Sequence, residues 1–168
     1  MDKVNQFLII TGLYEIDQQE GISRQLNAFY EEAAEFFTAM GQSNRLEMLD
    51  GLADMMFVSE TLNKLGIDGK RLADIYRIIR CATDLANMDD VVDEAFNRVC
   101  DNNLDKFDTD CNSAHVSLSY WRGEGYPIEQ TYVDGYWVIR LVRDYEGLYA
   151  GKILKRYGFV GVDLKDLL

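Results

Sequence analysis

Histidine and proline are nearly absent from this chain, with one of each, His115 and Pro127, in 168 residues. A lone histidine excludes HExxH and Cys₂His₂ zinc centres. No GxSxG elbow accompanies it, so a Ser-His-Asp triad is out, and His115 reads as a surface or capping side chain. The three cysteines, Cys81, Cys100 and Cys111, are odd in number and form no CxxC pair, which argues against a disulfide framework. Apolar runs such as Phe7-Leu8-Ile9-Ile10 are far too short to cross a bilayer. The N-terminus has neither a basic segment nor a long apolar one to direct secretion. Basic residues are also scarce: 17 Lys and Arg face 29 Asp and Glu, a net charge of −12. Such a chain is poorly suited to gripping nucleic-acid phosphates. The expectation is a cytoplasmic protein with no membrane partner and no direct nucleic-acid binding.

The remaining composition, 48% apolar and 27% charged, is that of a globular protein able to bury a sizeable core. The charge is unevenly spread. Residues 1–111 carry 10 bases and 22 acids, whereas residues 112–168 carry seven of each. We read 1–111 as a helical catalytic bundle and 112–168 as an aromatic-rich C-terminal extension. In the first part Leu26, Phe29, Tyr30, Ala33, Phe36, Phe37 and Met40 recur at helical spacing, with Ser23 as a candidate N-cap and Gly41 as a stop. Further helices are expected over about 44–65, 70–86 and 89–104, with a short one around 4–14. The fold class is therefore mainly α, an antiparallel four- or five-helix bundle with a small C-terminal β-hairpin. The hairpin is placed at Tyr136–Val142 and Lys152–Tyr157, joined through Asp144-Tyr145-Glu146-Gly147. Ten of the twenty aromatics lie between Tyr120 and Phe159, where they pack a hairpin or offer a base-stacking surface.

The informative residues are acidic. Glu31, Glu32 and Glu35 lie on the first long helix. Glu47, Asp50 and Asp54 lie on the next, within an arc of roughly 60° at 100° per residue. Between Gln25 and Asn63 seven acids face one base, Arg45. A solvated helix face is normally laced with opposite charges. If the two helices pack as an antiparallel hairpin, their carboxylates converge and repel unless a cation lies between them. Clustered oxygen ligands with little nitrogen or sulfur suit Mg²⁺ or Mn²⁺. The competing reading is an ordinary acidic surface. Two other motifs fail: Gly66-Ile67-Asp68-Gly69-Lys70-Arg71 lacks phosphate-loop spacing, and Asp108-Thr109-Asp110 begins an EF-hand-like loop without its Gly and Glu.

Glu31-Glu32-Ala33-Ala34-Glu35 followed by Leu49-Asp50-Gly51-Leu52-Ala53-Asp54 resembles the EExxE and later acidic motif of the all-α NTP pyrophosphohydrolases, the MazG-like and phosphoribosyl-ATP pyrophosphohydrolase-like proteins, many of them phage-encoded. Glu94–Val99 with Asn102-Asn103-Leu104-Asp105-Lys106-Phe107 is similar to the helix of that family ending in a Ser-Asn-Met-Ser-Lys-like motif. Gly151-Lys152-Ile153-Leu154-Lys155 is similar to the GKxxK ending of one branch. Gly51 stands where the second acidic pair commonly has its Glu, so Asp50 or Glu47 must substitute.

The resemblance implies Mg²⁺-dependent hydrolysis of a nucleoside triphosphate to the monophosphate and pyrophosphate, with Mn²⁺ as a possible substitute. It implies metal binding by Glu32, Glu35, Asp50 and Asp54, one of them also orienting water. Glu32, Glu35, Asp54 and Lys106 would then be catalytic, and Asn103 and Lys106 would bind substrate. A homodimer or homotetramer is implied, in the host cytoplasm if the protein is phage-encoded. The alternatives are a non-catalytic acidic protein-binding module or DNA mimic, and a protein that keeps this fold without its catalysis.

Overall fold

The computed structural model describes residues 2–168 and is mainly helical, with a small three-stranded antiparallel sheet. In chain order the helices are α1 (Lys3–Thr11), α2 (Gln18–Gly41), α3 (Arg45–Lys64), α4 (Gly69–Ala86), α5 (Val92–Leu104) and α6 (Cys111–Gly123). The strands β1 (Ile128–Val133), β2 (Tyr136–Leu141) and β3 (Ile153–Leu154) follow, then an extended tail ending in a 3₁₀ turn at Lys165–Leu167. Among the described residues no helix is long and apolar enough to cross a membrane.

Side-chain caps set several of the helix starts. Asp2, Asp17, Asn44, Asp68 and Asp110 each accept a backbone N–H from the first turn that follows them. The cap of α2 is therefore Asp17 and not Ser23, which lies inside the helix; Asp17 takes the amides of Gln19 and Glu20. The apolar period had pointed to the later start because Gln18–Glu20 carries no hydrophobic residue to mark the first turn.

Helix α3 is the hub and packs against α1, α2, α4 and α5. This explains why it is apolar almost all round: Leu49, Leu52, Ala53, Met55 and Leu62 are all fully buried. Its width of apolar surface is covered within the chain and needs no second protomer. The α2–α3 contact is close at Gly51. A Cβ there would meet the backbone N of Phe36 at 3.3 Å and its Cα at 3.4 Å. Gly51→Ala gains helix propensity of about 1 kcal/mol, yet we expect net destabilisation of about 1–2 kcal/mol in urea unfolding, because backbone cannot yield as a side chain does. Gly41→Ala is the control: nothing lies within 4 Å of its Cβ position, so that variant should be neutral or slightly more stable.

The region after Asn112 differs from the expected hairpin in two ways. It opens with α6, and its tight hairpin joins β1 to β2. Val133 pairs with Tyr136 across Asp134-Gly135, whose φ angles of +48° and +90° suit a two-residue type I′ turn. The Asp-Gly dipeptide was the missed signal. The pairing between the two expected strands does form, Ile139 with Leu154 and Arg140 with Ile153, but β3 is two residues long and not the stretch from 152 to 157. Helix α6 was missed because its buried positions, Ala114 and Ser117, are small. The sheet is covered on both faces. Val138 packs with Ile10 and Phe107, while Ile139, Leu141 and Leu154 pack with Leu118, Trp121 and Tyr126. Arg140 ties the sheet to α1, donating to the carbonyl of Ile10 at 2.9 Å.

Candidate active site

The antiparallel α2–α3 contact places acidic residues along its edge. Phe36 lies opposite Gly51, so Glu32, one turn before Phe36, comes beside Asp54, almost one turn after Gly51. Glu32, Asp50 and Asp54 are half-buried, and Glu35 is exposed. Burial raises the Glu32 carboxyl to about 7, and the charges of Asp54, Glu35, Asp50 and Glu31 add to the shift. Asp54 is raised to about 6 by burial and then by Asp50; Lys106 and Lys155 oppose this, and Glu35 reinforces it. Asp50 is also raised, by burial and by Glu47 and Glu35. The four expected ligands therefore act on one another electrostatically, across two helices.

The cations come from the end of α5 and from the tail. Asn103 is buried; its amide donates to the Val99 carbonyl at 3.0 Å, and its Oδ1 accepts from Lys106 Nζ at 2.5 Å. Asn103 was expected to bind substrate; as folded its amide is engaged by its own helix and its oxygen holds Lys106. Lys106 lies just beyond the helix, where its carbonyl accepts from the Arg156 backbone N–H at 2.8 Å. Burial lowers the Lys106 ammonium from its ordinary value, as do the neighbouring Lys155 and Lys152; Asp54 and Glu32 pull the other way. Among the described residues Lys106 and Lys155 form no salt bridge. Sequence reasoning assigned Lys155 no role, although the GKxxK pattern contained it.

The tail crosses this region under several restraints. Arg156 Nε donates to the Asp105 carbonyl at 2.7 Å, Asn102 to the Val160 carbonyl at 2.9 Å, and Arg98 to the carboxylate of Asp166. A cavity of about 270 Å³ is lined by Glu47, Asp50 and residues 160–165. A second, of about 450 Å³, is lined by Tyr120, Trp121 and the tail from Lys155 to Phe159, and Gly161 belongs to both.

Among the described residues no three His, Cys, Asp or Glu side chains already converge into a cage for one ion. The candidate donors are all carboxylates, the oxygen ligands that a hard divalent cation takes, and Glu32, Asp50 and Asp54 are partly withdrawn from water and crowded by like charge. No protein-family model, curated protein or solved structure matches this chain.

Proposed function

We propose that the protein is a Mg²⁺-dependent nucleotide pyrophosphohydrolase of the MazG-like, helical-bundle kind, cleaving a nucleoside triphosphate to the monophosphate and pyrophosphate. The observation that carries this reading is the pairing of half-buried carboxylates from α2 and α3 beside Lys106, which bears no salt bridge among the described residues. A dispersed acidic surface would leave its carboxylates solvated and near their ordinary values. Here burial and crowding favour anything that brings positive charge.

Glu32, Glu35, Asp50 and Asp54 would hold Mg²⁺, or Mn²⁺ in its place. Bound there, the ion would supply charge neutralisation for the polyphosphate. One of the carboxylates orients the attacking water and accepts its proton as the α–β anhydride bond breaks. Lys106 meets the phosphate oxygens, where charge grows on the departing pyrophosphate. Asn103 positions Lys106 and holds its ammonium close to Asp54.

A homodimer or homotetramer has support on α2, where Tyr30, Phe37 and Met40 share one face at 63%, 48% and 36% exposure, beside Leu26 and Ala33, which already pack in part against the core. Such an exposed apolar stripe is of the kind helices pair through. Phe37→Glu should convert the assembly to monomer in size-exclusion chromatography with light scattering. A monomeric wild type would end the oligomer reading.

The test of function is pyrophosphate release from a panel of NTPs and dNTPs with Mg²⁺ or Mn²⁺, with EDTA abolishing it. A panel with no turnover, combined with EDTA-indifferent and salt-sensitive binding to basic proteins, would favour the acidic-module reading instead.

A further inference from the structure

The larger cavity carries an inference that rests on the function proposed above and extends it to substrate recognition. Three features mark it. It is walled by aromatic rings: Tyr120 and Tyr157 have centroids 4.9 Å apart, and Tyr120 and Trp121 5.1 Å apart. Two of these rings keep accessible surface, Tyr120 at 40% and Tyr157 at 54%. The wall is also fixed. Trp121 Nε1 donates to the Lys155 carbonyl at 2.9 Å, and Ser117 Oγ accepts the Tyr157 backbone N–H at 2.9 Å, which clamps the tail to α6.

The third feature is its position. Lys155 lines the cavity, with its ammonium 4.7 Å from the Phe159 ring centroid, and the same charge acts on Asp54 and Lys106. Gly161 is shared with the smaller cavity that contains Asp50. One side chain and one backbone residue thus connect the aromatic pocket to the acidic centre. A volume of about 450 Å³ falls within the range of small-molecule sites. Planar rings suit a planar heterocycle, and a lysine at the boundary suits the first phosphate attached to it.

We propose that this pocket, between α6 and residues 155–161, binds the nucleobase of the substrate by stacking on Tyr157 and Tyr120, with Lys155 spanning from base pocket to polyphosphate. The region after Asn112 then supplies recognition, and the helices before it supply hydrolysis. The partner is a mononucleotide; the chain's net charge of −12 opposes a continuous phosphate backbone.

The experiment compares binding of Mg²⁺-nucleoside triphosphate and Mg²⁺-tripolyphosphate, which has no base, to wild type, Tyr157→Ala and Tyr157→Phe. Base stacking is worth roughly tenfold to a hundredfold in affinity. Tyr157→Ala should weaken nucleotide binding by about that factor, leave tripolyphosphate unchanged, and be rescued by Tyr157→Phe. Equal weakening of both ligands, or of neither, overturns the proposal. So does an oligonucleotide that binds more tightly than the mononucleotide. If wild type binds no tripolyphosphate with Mg²⁺, the carboxylate centre fails while the pocket is still judged by tryptophan quenching with the free nucleoside. Quenching lost in Tyr157→Ala supports the pocket, and absence of quenching in wild type overturns it.

Discussion

Asp54→Asn is expected to abolish pyrophosphate release, by about a thousandfold or more, and to make the metal-free protein more stable. The first effect follows from removing a charged oxygen that would hold the divalent ion, an interaction worth several kcal/mol at about 1.4 kcal/mol per tenfold in rate. The second follows from the environment of Asp54. Its carboxyl stays raised to about 6 even though Lys106 and Lys155 pull it down, so burial and its acidic neighbours outweigh both lysines. Deleting that charge at pH 8 relieves more repulsion than it forfeits attraction. Partial solvent screening limits the gain to about 1–2 kcal/mol, or about 2–8 °C in melting temperature for a chain of this size. A variant that is both inactive and less stable would indicate a structural role, and a fully active one would remove Asp54 from the centre.

The second large effect is a pH dependence opposite to that of proteins stabilised by salt-bridged carboxylates. Glu32 at about 7 and Asp54 at about 6 lie above their ordinary values of 4.5 and 3.8. The folded state therefore binds more protons than the unfolded chain through this interval. Stability is fully present below about pH 4, as far as these two groups decide it, and is lost as the pH rises through about 6 to 7. Without divalent ions the protein should melt several degrees lower at pH 8 than at pH 5.5. Mg²⁺ at a hundredfold its Kd adds about 2.7 kcal/mol, about 5–10 °C at pH 8. It should add far less at pH 5.5, where protons occupy the carboxylates. Calorimetry at both pH values, with and without Mg²⁺, measures this; an equal Mg²⁺ effect at both would show that the ion does not bind these groups.

The helices before Asn112 were legible because their burial is periodic and most of their ends are chemically marked. Asn44 and Gly66 bound α3 within a residue or so of the expected limits. The start of α2 was not, because a cap followed by three polar residues carries no apolar period, and α5 begins at Val92 rather than near Asp89, since no side chain caps it. After Asn112 the elements are short and aromatic on both faces, so alternation fails, and only Asp134-Gly135 marked the tight turn. The carboxylates were visible as an imbalance of charge. That Asn103 would be held within its own helix was not visible, since an Asn near a helix end has the same spacing whether it binds a ligand or a neighbour.

Sequence alone determined which residues could share a helix face: 3.6 residues per turn puts Glu47, Asp50 and Asp54 together whatever else the chain does. It could not determine which face meets which. That depended on Gly51, whose missing side chain lets α3 settle against the backbone of Phe36 and brings Glu32 to Asp54. It depended also on the tail, which Arg156 ties to the end of α5 through the Lys106 and Asp105 carbonyls, so that the charge of Lys155 acts on Asp54. Both are contacts between residues far apart in the chain, set by shape and hydrogen-bond geometry that no local periodicity encodes.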